Sequence, residues 1–70
     1  MKSRKDIIYE NIGGDSHYYY YENGKHYYHN EEGPAFVGLD GYEEYCLHGE
    51  MILVNSLEEF KKYIELIAFI

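Results

Sequence analysis

The stretch "HYYYYENGKHYYHN", residues 17–30, sets six tyrosines and three histidines around one Asn-Gly pair. Asn-Gly between β-prone runs is a strong short-range hairpin signal, because a two-residue type I′ turn requires positive φ at both central positions. With Asn23-Gly24 as the turn, the facing pairs are Glu22/Lys25, Tyr21/His26, Tyr20/Tyr27, Tyr19/Tyr28 and Tyr18/His29. Alternate pairs point to opposite sides of a sheet, so the rings divide into two sets. One face carries Tyr18, Tyr20, Tyr27 and His29; the other carries Tyr19, Tyr21, His26 and Tyr28.

Two further dipeptides, Asp40-Gly41 and His48-Gly49, are read as turns of the same kind, the second with a histidine where asparagine is easier. They predict strands near Ile7 to Ile12, His17 to Glu22, Lys25 to His29, Pro34 to Leu39, Tyr42 to Leu47 and Glu50 to Val54. After Val54 the period changes. In "NSLEEFKKYIELIAFI", Ser56 and Glu59 make a capping box, and Leu57, Phe60, Ile64 and Ile67 share one helical stripe. The expected fold is α+β, one small domain: an antiparallel β-meander of stacked hairpins over about residues 7–54, then a C-terminal helix over about 57–70. The apolar end "LIAFI" packs on the sheet, forms a homodimer through the helix or enters a partner's groove.

A shift of 25 residues aligns Asp15 with Asp40, Tyr20 with Tyr45, Gly24 with Gly49 and Asn30 with Asn55, which suggests two related hairpin units. The alignment makes Tyr45 and Ile52 the counterparts of Tyr20 and Tyr27, and with Phe36 and Leu47 they define the expected core face. Tyr19, Tyr21, His26 and Tyr28 then form an exposed patch. They contact a partner, or they pack on the N-terminal strand or a second copy of the chain.

The run "NGKHYYHNEEGPAFVGLDGYEEYCLHGEMI", residues 23–52, resembles a repeat common in bacteriophage and bacterial hypothetical proteins and related to MORN-type β-hairpin repeats. The pattern is roughly Asn-Gly-Lys, His-Arg-x-Asp-Gly-Pro-Ala, Asp-Gly and a tyrosine-rich strand. Asn23, Gly24, Lys25, His29, Gly33, Pro34, Ala35, Asp40, Gly41, Tyr45 and Gly49 match it. Asn30 stands where the pattern has arginine and Glu32 where it has aspartate, so an arginine–aspartate pair bracing this loop would be absent here. The resemblance implies stacked hairpins closed by a helix and no shared catalytic role.

Seventy residues bury only about 60% of the surface that the unfolded chain exposes, so the core is small. A single cysteine, Cys46, excludes an intrachain disulfide and suits a reducing compartment; the expected location is the cytoplasm of a host cell. The N-terminal sequence has no apolar run long enough for a signal peptide, and no segment is long enough to span a bilayer. Net charge is −7, and from Asp6 to Glu59 twelve acids face one base, Lys25. A field of that sign repels nucleic acid and favours basic protein surfaces.

Catalysis and cofactors find little support in the sequence. His26-x-x-His29 would need both rings on one ion, yet residues three apart on a strand point to opposite faces, so no metal or other cofactor is expected. Cys46 reads as a packing residue, and neither Gly13-Gly14 nor Gly24-Lys25 makes a phosphate loop. The chain is therefore expected to be no enzyme but an acidic protein-binding module. Tyr19, Tyr21, His26 and Tyr28 would be its anchors, and Glu31, Glu32, Glu43 and Glu44 its charge. By analogy with anti-CRISPR and other anti-defence proteins, it would be a phage product occupying a basic surface of a host protein. The alternative is a structural repeat module that self-assembles.

Overall fold

A computed structural model of the chain describes residues 6–68. Six strands, β1 (Ile8–Ile12), β2 (Asp15–Glu22), β3 (Lys25–Tyr28), β4 (Phe36–Val37), β5 (Glu43–Leu47) and β6 (Glu50–Ile52), precede one helix, α1 (Leu57–Ile67). All strand pairs are antiparallel, so the fold is α+β: a meander closed by one helix.

β3 and β4 follow one another along the same edge of β2. At Tyr18 the ladder passes from one to the other: its N–H donates to the Ala35 carbonyl (2.8 Å) and its carbonyl accepts from the His29 N–H (3.1 Å). On their far side both meet the β5–β6 hairpin, through Ala35 N–H to Glu44 O (2.8 Å) and Gly49 N–H to Tyr28 O (2.9 Å). Residues 29–35 are thus a loop thrown out of what would otherwise be a single strand. This explains why the strand expected from Pro34 to Leu39 shrinks to Phe36–Val37. Asn30 braces this loop: its Nδ2 donates to the Pro34 carbonyl (3.0 Å) and its Oδ1 accepts from the Glu32 N–H (3.1 Å).

The turns at Asn23-Gly24 and His48-Gly49 are both type I′, with φ of 53° and 81° in the first and 53° and 84° in the second. Gly13-Gly14, which was not read as a turn, makes another between β1 and β2, with φ of 61° and 94°. Asp40-Gly41 differs from expectation. The Gly38 carbonyl accepts from the Gly41 N–H (2.9 Å), so Leu39 and Asp40 are the central residues and Gly41, at φ 92°, completes a three-residue loop. The Asp40 carboxylate favours this form by accepting from the Tyr42 N–H (3.0 Å).

The ladder registers assign the faces. Tyr20 pairs with Tyr27 and Tyr45 with Ile52, as expected of the core side. Phe36 does not belong there: it pairs with His17 and Glu44, which places it on the outer face with Tyr19 and Tyr28. The loop before β4 shifts the alternation, which could not be counted through from the hairpins on either side.

Helix α1 covers one half of the inner face. Phe60, fully buried, packs on Tyr45 (ring centroids 4.8 Å apart) and Leu47, ringed by Ile52, Val54, Ile64 and Ile67. Leu57, assigned to the same stripe, is exposed instead. The Ser56 hydroxyl caps the helix by accepting from the Glu59 N–H (3.2 Å), while the Glu59 carboxylate reaches back to the Asn55 N–H (2.9 Å). Of the apolar end, Phe69 and Ile70 lie outside the described residues. No helix among the described residues is long and apolar enough to cross a membrane.

Candidate protein-contact face

Among the described residues no helix covers the outer face of the sheet. The register brings Tyr19, Tyr21, His26 and Tyr28 together there and adds Ile8, Glu10 and Ile12 from β1, His17 from β2 and Phe36 from β4. The rings stand edge to face: Tyr19 on Tyr21 at 81°, Tyr19 on His26 at 73° and His26 on Tyr28 at 87°, with centroids 5.6–6.0 Å apart. This is the arrangement that aromatic quadrupoles prefer, and the rings line a shallow cleft of about 230 Å³.

Two hydrogen bonds fix the walls. The Tyr19 hydroxyl donates to the Glu10 carboxylate (2.7 Å), and that bond is the main reason its phenol is pushed up to about 12, since a phenolate would lose the bond and face the carboxylate. The Tyr28 hydroxyl shares a 2.8 Å bond with His17 Nδ1. Its phenol is raised by burial first, then by Glu44 and Cys46. Tyr21, 58% exposed, stands over the cleft.

The four glutamates expected to supply charge are not gathered around these rings. Glu44 lies on the outer face, accepting from the Tyr42 hydroxyl (2.7 Å). Glu43 pairs with Val37 and belongs to the opposite face. Glu31 and Glu32 lie in the 29–35 loop, beside Tyr9 and Tyr18 in a second depression of about 220 Å³. Sequence reasoning misses Glu10 and His17 as cleft residues; alternation along β2 assigns His17 with Tyr19 and Tyr21, and the Gly13-Gly14 turn, by fixing β1 against β2, then assigns Glu10.

Of the four rings expected to be exposed, Tyr21 and His26 are, while Tyr19 and Tyr28 are half-buried; His29 has a different role. It is 1% exposed, its Nδ1 accepts from the His48 N–H (2.9 Å), and so its ring proton is on Nε2, facing the Glu31 carboxylate at 2.9 Å. The imidazole ties the loop to the second hairpin's turn. His48 in turn shares a 3.0 Å bond through Nδ1 with the Tyr20 hydroxyl. Partial burial, then the neighbouring His29, lowers the His48 imidazole below its ordinary value.

His26 and His29 fall on opposite faces, as strand alternation requires, and among the described residues no three His, Cys, Asp or Glu side chains come together to hold a metal. Cys46 is buried in β5, and burial, helped by Glu44, pushes its thiol up and so disfavours the nucleophilic thiolate. No protein family, curated protein or solved structure matches the chain.

Proposed function

We propose that the chain is an acidic protein-binding module that docks on a basic surface of another protein through the outer face of its sheet. The supporting observation is the contrast between the faces: one side of the sheet carries α1 and the 29–35 loop, while the other leaves Tyr21, Tyr42, Met51 and Ile12 exposed beside Glu10 and Glu44. Tyrosine-rich surfaces give large contact area at low entropic cost, and the acidic surround selects a basic partner. In its most specific form, the module is a phage-encoded inhibitor of a host defence protein, working in the host cytoplasm and occupying a basic surface used for nucleic acid.

The test is capture of a partner from host lysate by the wild-type chain and by the triple Tyr19→Ala, Tyr21→Ala, Tyr28→Ala variant, at low and at high salt. Capture that weakens with salt and disappears in the folded variant supports docking through this face; salt-independent capture rules out charge complementarity. A second reading, self-assembly through the helix side, draws on Leu66, 68% exposed. Sedimentation at two concentrations tests it: a monomer at both counts against self-assembly.

A further inference from the structure

The cleft on the outer face is lined by His17, Tyr19, Tyr21, His26 and Tyr28, with Glu10 and Ile12 on the β1 side. We propose that it binds the cationic end of an arginine or lysine side chain presented by the basic partner, as an aromatic cage with one carboxylate. The inference rests on the outer face being the docking surface and specifies what enters it.

Three observations favour a cation over an apolar side chain. The rings are crossed, at 69–87° for every pair that involves His26 or Tyr21, so that several negative ring faces can border one small group. Among the described residues the Glu10 carboxylate accepts one hydrogen bond, from Tyr19. An apolar group covering it would remove its water without supplying a partner, whereas a guanidinium or ammonium would replace that water with an ion pair. Finally, none of the lining residues is a lysine or arginine, and Lys25 is the one base between Asp6 and Glu59. Ile12 supplies an apolar wall for the methylene stem of such a side chain.

The probe is N-acetyl-arginine methylamide, and the control is its citrulline analogue, equal in shape and uncharged. Both are titrated against the full chain with isotope-labelled tyrosine and histidine rings, read by NMR. Saturable shifts of Tyr19, Tyr21, His26 and Tyr28 are expected with the arginine probe, and affinity at least about fivefold weaker with citrulline. Tyr21→Phe should keep this binding, Tyr21→Ala should weaken it by about fivefold, and Glu10→Gln by about threefold. Equal binding of the two probes, or no saturable shift, overturns the cage. The two readings fail separately. If the arginine probe is inert while the triple tyrosine variant still abolishes partner capture, the cage falls and the docking face stands. If the probe binds but partner capture ignores all three tyrosines, the cage stands and the docking face falls.

Discussion

The β2–β3 and β5–β6 hairpins share a turn and a register, yet what lies behind them is opposite in character. In β5–β6 the inner pair Tyr45/Ile52 meets Phe60 and an aliphatic ring of helix residues. In β2–β3 the inner pair Tyr20/Tyr27 has neighbours of another kind among the described residues: His29, His48 and, through His29, Glu31. Tyr20 is nonetheless only 3% exposed. A buried apolar cluster tolerates small shifts, whereas a hydrogen-bonded ring cluster requires every donor to have an acceptor. One half of this sheet is thus stabilised mainly by area and the other mainly by bond geometry.

The most severe way to break the comparison is Phe60→Ala, which empties the centre of the apolar half. The expected loss is about 3–5 kcal/mol, as much as a core of this size supplies, so the chain should be largely unfolded at room temperature by circular dichroism. Survival of the β2–β3 amides under hydrogen exchange in that variant would show that the aromatic half folds alone. Next in size is His29→Ala, which strands the His48 N–H and opens a cavity. It should cost about 2–4 kcal/mol in denaturant titration. Glu31→Gln keeps an acceptor for Nε2–H and should cost about 1 kcal/mol or less.

This division was half legible in the sequence. Strand order, the β2–β3 pairing and the capped helix followed from turn dipeptides and from the change of period after Val54, because these signals are local. The faces of β1 and β4 were not, since each depends on a turn or loop whose length in the ladder had to be known. Gly13-Gly14 was passed over, and the 29–35 loop reset the alternation before Phe36. The outer ring set could be read from one hairpin, but its carboxylate, Glu10, comes from a strand whose register was open. Glu31 illustrates the same limit: its charge suggested a surface role, and only the fold sets it against buried His29.

The turns sharpen the comparison at smaller scale. Gly24 and Gly49 have nearly equal positive φ, so alanine at either bears the same backbone strain, about 1–2 kcal/mol. They differ in surroundings. A Cβ on Gly24 meets nothing within 4 Å, while one on Gly49 would lie 2.8 Å from Tyr27 Cδ1, whose ring lies across the second turn. Gly49→Ala should therefore lose about 1 kcal/mol more than Gly24→Ala in parallel denaturant titrations. Equal losses would mean that the Tyr27 ring shifts freely and that the hairpins are less tightly joined than their hydrogen bonds imply.

The subtlest test uses His48, which stands in the second turn where the first has Asn23. Its imidazole is held below the ordinary value of about 6.5 by partial burial and by His29, with Glu31 and Glu22 pulling the other way. Between the lowered value and 6.5 the unfolded chain binds more protons than the folded one, so stability is complete above about pH 6.5, declines as pH falls through that window, and levels off below it. His48→Asn keeps a residue suited to positive φ and removes the titrating ring, so it should flatten that slope, at a pH-independent cost of about 1 kcal/mol for the lost bond to the Tyr20 hydroxyl. Glu31→Gln should do the reverse, because removing a carboxylate that favours the imidazolium drives the His48 value lower still. NMR titration of the His48 ring in the two backgrounds reads this directly. A slope that persists in His48→Asn would transfer the pH dependence to another group and leave the aromatic half without its titrating member.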